Sequence, residues 1–171
     1  MERIVELAGL DRRSFYRCFD DAASCYASGY VTTVEDLVTD LEGATGKHGA
    51  WIDCMQTGLD KLGQFLEVET KLARGIFLEV HVARGEAAAK HDEVFERLSH
   101  AVDTARRENA SRHSPPPIAA RFILNMIEAA ASRWLRSDDP EPFAKAIPDL
   151  LYVAAVFYFG REEAERQVRG A

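Results

Sequence analysis

The sequence has few of the features that mark secreted, membrane-spanning or β-rich proteins. It holds three cysteines, an odd number without Cys-x-x-Cys spacing, and no signal peptide opens the chain. Its most apolar run, residues 150–159, is ten residues long, which is about half the length that a bilayer-spanning helix requires. No stretch alternates apolar and polar residues between turn residues, as half-buried strands do. We therefore expect an all-α, cytoplasmic protein without a membrane partner.

Motifs for catalysis and metal binding are also lacking. The five histidines do not have the Glu-x-x-His spacing of metal-binding helical bundles, and the sequence contains no His-Glu-x-x-His or Gly-x-Ser-x-Gly motif. The glycine-rich stretch at 43–49 is not a phosphate loop, since Leu41 and His48 stand where such a loop needs Gly and Ser or Thr. We predict an ordinary loop there. We predict no enzyme activity, no catalytic residue, no metal and no cofactor.

The composition favours a folded protein whose positive charge is concentrated at one end. A chain of 171 residues that is 47% hydrophobic can form one domain, or a small headpiece joined to one larger helical domain. Its net charge is −7, yet residues 1–19 carry four arginines against three acidic residues, a balance of +1, which leaves −8 for the remainder. Any contact with nucleic acid is therefore expected at the N-terminus.

Apolar residues recur at helical spacing along most of the chain. We predict a helix over about 21–41, whose apolar face consists of Tyr26, Tyr30, Val34, Leu37, Val38 and Leu41. Further helices are predicted from residue 50 onward, and the consecutive prolines within 111–117 predict a break. The last two helices are predicted over about 118–135 and 141–167, with Pro148 either kinking the final helix or restarting it at a first turn.

The stretch from Leu7 to Phe19 has the pattern of a helix, a tight turn and a second helix. Gly9 is expected to supply the positive φ of the turn, and Asp11 stands where an N-cap belongs. Phe15 and Phe19, at i and i+4, are expected to face inward. The exposed side then offers cationic and hydrogen-bonding groups to a DNA major groove. The predicted DNA-binding residues are Arg12, Arg13, Ser14, Tyr16 and Arg17.

Residues 4–19 resemble the DNA-binding signature of the tetracycline-repressor (TetR) family. They read Ile-Val-Glu-Leu-Ala-Gly-Leu-Asp-Arg-Arg-Ser-Phe-Tyr-Arg-Cys-Phe, where the family reads approximately Ile-Ala-x-x-Ala-Gly-Val-Ser-x-x-x-Phe-Tyr-x-His-Phe. The resemblance implies a homodimeric transcriptional regulator. Residues 1–22 would form a partial helix-turn-helix headpiece, and residues 23–171 a regulatory body that binds a ligand and dimerises.

The sequence departs from the family pattern at three places. Cys18 stands in place of the usual His, and Ala22 in place of the usual Lys, both of which contact phosphate in the family. The first helix of the family's DNA-binding domain is expected to have no counterpart in these 171 residues. The chain as written is therefore expected to bind operator DNA weakly.

The last two predicted helices are apolar on more than one side, and a helix that is apolar all round must be buried all round. One side is expected to pack within the subunit and the other on a second copy. The resemblance puts dimerisation at the same place, in a four-helix bundle made from the last two helices of each subunit. The predicted interface residues are Trp134, Leu151, Val156 and Phe157.

The resemblance also implies a pocket in the body whose occupancy changes the spacing of the two headpieces. Seven aromatic or sulfur-containing residues are expected to line it, namely Trp51, Met55, Phe65, Phe77, Phe95, Phe122 and Met126. His81 and Asn125 lie among apolar residues, and a pocket needs a few polar groups to orient its ligand. The alternative interpretations are a core histidine with its own partner and an asparagine that faces its own helix.

The favoured interpretation is a homodimeric, ligand-responsive regulator of transcription, acting as a repressor, whose partners are operator DNA and a small apolar effector. The alternative is a dimeric helical module that binds a small molecule or another partner and has lost DNA binding. The missing phosphate contacts favour this alternative.

Overall fold

The computed structural model describes residues 6, 9, 11–45, 50–82, 85–108 and 115–169. These ranges contain helices and turns and no strand, so the predicted all-α fold is confirmed. We number the α-helices in chain order as α1 Arg12–Cys18, α2 Ala22–Thr45, α3 Trp51–Val68, α4 Thr70–Arg74, α5 Glu86–Glu108, α6 Ala119–Arg136, α7 Ile147–Phe159 and α8 Arg161–Ala164. None of them is both long and apolar enough to cross a membrane.

The structure contains the glycine turn and the N-cap that were predicted before α1. Gly9 has φ of 63°, which is the left-handed conformation that favours glycine. Asp11 is the N-cap of α1, and its carboxylate accepts from the backbone N–H of Ser14 at 2.8 Å. Phe15 is 2% exposed and therefore faces inward, as predicted. Ile4 and Leu7, on the helix expected before the turn, lie outside the described residues.

Two elements differ from the prediction, and one predicted alternative is resolved. Helix α2 continues to Thr45, so Gly43 is helical and does not begin the expected loop; residues 46–49 of that stretch lie outside the described residues. Pro148 lies in the first turn of α7, which selects a restart over a kink. The single helix expected over 141–167 is wrong, because Gly160, with φ of 79°, separates α7 from α8. Short turns flank them, a 3-10 turn at Phe143–Lys145 and a π turn at Glu165–Arg169.

Helix α4 runs into a π turn at Gly75–Glu79 and then a 3-10 turn at Val80–Val82. Such irregular turns shift the α-helical hydrogen-bond ladder and leave carbonyls that need other donors. The Tyr26 hydroxyl donates to the Gly75 carbonyl at 3.0 Å, and the Ser132 hydroxyl donates to the Phe77 carbonyl at 2.9 Å. The π turn is therefore held between α2 on one side and α6 on the other.

Three groups of buried side chains form the core. The first joins α3, α6 and α7 around Leu66, Leu135 and Phe143. The second joins α2 to α5 and to the turns after α4. The third surrounds Trp51 and Tyr158, whose ring centroids lie 4.9 Å apart. Helix α2 thus contacts the rest of the subunit mainly through one apolar face.

Phe143 fixes the segment between α6 and α7 to α3, and its replacement tests that packing. Its side chain is 1% exposed, and a Cβ added to Gly63 would lie 3.3 Å from its ring. We expect Phe143→Ala to lower the free energy of unfolding by about 3–5 kcal/mol, because it leaves a cavity. Val68→Ala, at a side chain that is 70% exposed, should change it by less than about 0.5 kcal/mol. Urea unfolding of the two variants measures this, and equal losses would contradict tight packing of Phe143.

Candidate functional site

Helices α2, α3, α5 and α6 and the π turn surround a cavity of about 570 Å³. This volume lies in the range of about 300–1,000 Å³ that is usual for small-molecule sites. Besides Glu42, five aromatic or aliphatic residues of α2 line it, namely Tyr30, Val34, Leu37, Val38 and Leu41. They are five of the six residues predicted to form the apolar face of that helix, so the face that holds α2 to the body is also a wall of the cavity.

Four of the nine residues predicted to bind ligand line this cavity. They are Trp51 and Met55 on α3, Phe77 in the π turn and Phe95 on α5. Phe65 and Met126 instead pack against the core around Leu66, and Phe65 also lines a separate groove between α2 and α3. The structure thus brings Trp51, Phe77 and Phe95 together around one cavity.

Phe122 and Asn125 do not lie where the pocket was expected. The Phe122 side chain is 55% exposed. Asn125 is also exposed, and its amide donates to the Arg121 carbonyl of its own helix at 2.9 Å. The face of α6 toward the cavity is instead formed by Leu124, Ile127 and Glu128, which share one side of a helix. The helix-facing interpretation of Asn125 is therefore the one that the structure supports.

The buried polar part of the cavity wall is a cluster around Glu128, which sequence reasoning missed; Glu42 and His100 also line the cavity and are exposed. Glu128 is 8% exposed. Its Oε1 lies 3.5 Å from His91 Nε2 and 3.6 Å from His81 Nε2. The Tyr30 hydroxyl lies 3.2 Å from His91 Nδ1. Tyr30, His91 and Glu128 line the cavity, whereas the His81 side chain is 46% exposed and is not among the lining residues.

The pKa values of this cluster reflect burial. Burial raises the pKa of the Glu128 carboxyl, and the charge of His81 offsets part of that rise. Burial lowers the pKa of His91, and the charge of His81 lowers it further. Burial likewise raises the pKa of the Tyr30 hydroxyl. Each shift favours the neutral form, so the cluster lies in a poorly solvated environment.

A metal ion is not an explanation for this cluster. Within the described ranges, no group of three His, Cys, Asp or Glu side chains is arranged to hold one. The arrangement is that of a mainly apolar chamber with one buried acidic group, Glu128, in its wall. Such a chamber can recognise a ligand by shape and by hydrogen bonding.

The second candidate surface is the exposed side of α1. Arg12, Arg13, Tyr16 and Arg17 are exposed, and Tyr16 reaches 55% exposure. Ser14 is half-buried, and its hydroxyl donates to Asp11 Oδ2 at 3.1 Å. The backbone N–H of Ser14 lowers the pKa of Asp11, followed by the Ser14 hydroxyl. Ser14 therefore stabilises the start of α1, while its neighbours present cationic and phenolic groups to solvent.

The residues predicted at the dimer interface lie in different environments. Leu151 is 5% exposed within one subunit, so it is core and is not available to a second copy. Trp134 is half-buried, and its indole N–H donates to the Glu141 carbonyl at 2.7 Å. Val156 and Phe157 are also half-buried. The exposed apolar side chains on α7 and at and just before α6 are Val153, Phe122 and Ile118.

Comparisons with known proteins identify no relative of this chain. No family model, no curated protein and no solved structure matches it. The site must therefore be interpreted from its own geometry.

The raised pKa of Glu128 predicts a pH-dependent stability. Its folded pKa lies above the ordinary value of 4.5, so just above pH 4.5 the folded protein retains a proton that the unfolded chain has released. The contribution of Glu128 to the free energy of unfolding is therefore full below that pH and is lost as the pH rises through the folded pKa. Glu128→Gln removes this loss. The difference in free energy of unfolding between the variant and the parent should therefore rise in favour of the variant as the pH rises, by about 1.4 kcal/mol for each pH unit between the unfolded and folded pKa values of Glu128.

Urea unfolding from about pH 4 to about pH 7.5 measures this gain. Glu162→Gln, at an exposed position on α8, is the control and should follow the parent. A constant difference between Glu128→Gln and the parent at every pH would contradict the prediction.

Proposed function

We propose that this chain is a ligand-responsive, DNA-binding regulator of transcription of the tetracycline-repressor type, acting as a homodimer and as a repressor. In this proposal α1 contacts operator DNA, and the cavity holds a small apolar effector. The observation that carries the proposal is the position of α2, which follows α1 after three residues and forms a wall of the cavity.

The geometry of α2 suits a lever between the two candidate sites. It has 24 residues, which corresponds to a length of about 36 Å. Its start is capped reciprocally, because Asp21 Oδ1 accepts from the Ser24 N–H at 2.8 Å and the Ser24 hydroxyl accepts from the Asp21 N–H at 3.1 Å. A displacement of the cavity wall near Val34 would therefore be transmitted along a continuous helix to the end of α1.

Ion pairs also link helix α2 to helix α5. Arg97 binds Glu35 at 3.0 Å and Glu42 at 2.9 Å, and Lys90 also pairs with Glu35. These hydrogen bonds lower the pKa of Glu35, and the hydrogen bond from Lys90 has the largest effect. Since α5 also supplies His91 and Phe95 to the cavity, an effector would contact both partners of this α2–α5 contact.

The surface chemistry of α1 supports DNA as the partner. Arginine side chains read guanine edges or neutralise phosphates, and a tyrosine hydroxyl donates to phosphate. In a two-fold dimer, two such helices would address half-sites about 34 Å apart. The exposed side chains of Ile118, Phe122 and Val153 offer the apolar surface on which the second copy would pack, together with Phe157, whose ring centroid lies 5.5 Å from that of Phe122.

The second candidate function is a dimeric binding module without DNA affinity. It is favoured by Cys18 and Ala22 at two positions where the family has phosphate contacts, and by the acidic pair Asp20 and Asp21 between them. Like charges near phosphate oppose binding. The two candidates share the cavity and differ in whether α1 meets DNA.

DNA binding by the chain distinguishes the two candidates. The chain is used to select duplexes from a random pool, and the selected duplex is titrated across a salt series. We expect weak, salt-dependent binding. Arg13→Ala should cost about 1–3 kcal/mol if its guanidinium reads a base, and Tyr16→Phe should weaken all sequences alike. Arg136→Ala, at an exposed arginine at the end of α6, should have no effect.

Two outcomes decide against parts of the proposal. Failure to enrich any sequence, with no salt-dependent binding, favours the module without DNA affinity. Equal losses for Arg13→Ala and Arg136→Ala would show that binding depends on overall charge and not on α1.

A further inference from the structure

We propose that the cavity takes an amphipathic amine, a ligand with one protonated nitrogen at the end of an apolar body, and that Glu128 is its counter-ion. The inference rests on the proposed function, in which the same cavity is the effector site, and names the chemical class of that effector. It depends on three features of the wall: where its charge lies, how that charge is paired, and what surrounds it.

The first feature is the position of the charge. Two carboxylates line the cavity, Glu42 and Glu128. Glu42 has a side chain that is 46% exposed and is bound by Arg97 at 2.9 Å. Glu128 has a side chain that is 10% exposed, and the rest of the α6 wall is formed by Leu124 and Ile127. The cavity thus has one buried acidic group, which Leu124 and Ile127 accompany on the α6 wall.

The second feature is the pairing of that carboxylate. Its described contacts are the two imidazole nitrogens at 3.5 and 3.6 Å, whereas ordinary N–H···O hydrogen bonds span about 2.7–3.2 Å. A buried carboxylate with partners at that separation is under-coordinated, and burial of such a group is costly until a donor reaches it. An ammonium supplies up to three donors and the opposite charge.

The sign of the charges around the site selects a cation over an anion. Burial and His81 both lower the pKa of His91, which disfavours its cationic form. Arg121, the guanidinium that acts on His91, pairs with Glu96 and lies 3.7 Å from Asp92. An anionic head would add a second negative charge beside Glu128 in a medium of low dielectric constant, where like charges repel strongly.

The third feature is the aromatic surface around the head group. The Phe95 ring centroid lies 4.5 Å from that of His91, and the Tyr30 hydroxyl lies 3.2 Å from His91 Nδ1. Phe77 and Trp51 line the same cavity. Aromatic faces attract ammonium groups through their quadrupoles, and the leucine and valine side chains of α2 and α3 suit a hydrocarbon body.

The test is calorimetric titration of the purified chain, without DNA, with three probes of equal length: n-decylamine, n-decanol and decanoate. We expect decylamine to bind at least about tenfold more tightly than decanol, and decanoate to bind most weakly. Glu128→Gln should reduce decylamine to the affinity of decanol and leave decanol unchanged. Glu42→Gln, which alters the other carboxylate of the wall, should retain the preference for the amine. Circular dichroism confirms that both variants remain helical.

The outcomes separate this inference from the proposed function. Equal binding of decylamine and decanol, tighter binding of decanoate, or an amine preference that survives in Glu128→Gln each overturns the amine assignment, while the DNA measurements are unaffected. Failure of all three probes to bind also overturns it. Amine binding through Glu128 in a chain that never binds DNA would support the inference and count against the regulator.

Discussion

The apolar face of helix α2 packs against the core and also forms a wall of the cavity. Val34 and Val38 are 4% and 1% exposed, so this face joins α2 to the core. The same residues line a cavity of about 570 Å³, so the contact is incomplete. Interiors are normally filled to crystal-like density, and a helix that is held on one side by a chamber can change position when the chamber is filled. Because only three residues separate α2 from α1, a change in the position of α2 would also move α1.

The polar cluster adds a cost that a purely structural core would avoid. Burial raises the pKa of Glu128, and its imidazole neighbours lie too far away to satisfy it fully. Departures from well-satisfied packing concentrate at functional sites. The position of Glu128 in the cavity wall, rather than elsewhere in the core, therefore favours a binding role.

Local patterns predicted the turn at Gly9 and the cap and inward face of α1 well, and the cavity only in part. Gly9, Asp11 and Phe15 act through neighbours within a few residues, so sequence spacing is sufficient. Helix α6 is apolar on more than one side, and only packing decides that Ile127 faces the cavity and Phe122 faces solvent. The π turn after α4 depends on donors far along the chain, such as Ser132, and has no local signal. Glu128 had one, since it is the sole carboxylate in α6.

We propose that occupancy of the cavity moves α1 relative to its copy in the proposed dimer. Cys18 is exposed at the end of α1, whereas Cys25 and Cys54 are half-buried. In the variant with Cys25→Ser and Cys54→Ser, Cys18 of each subunit is spin-labelled. Pulsed electron paramagnetic resonance then measures the distance between the labels of the two subunits. We expect one defined intersubunit distance, which shifts when the cavity is saturated with decylamine. The absence of an intersubunit distance would contradict the dimer. A distance that is unchanged at saturation would contradict the coupling of the cavity to α1.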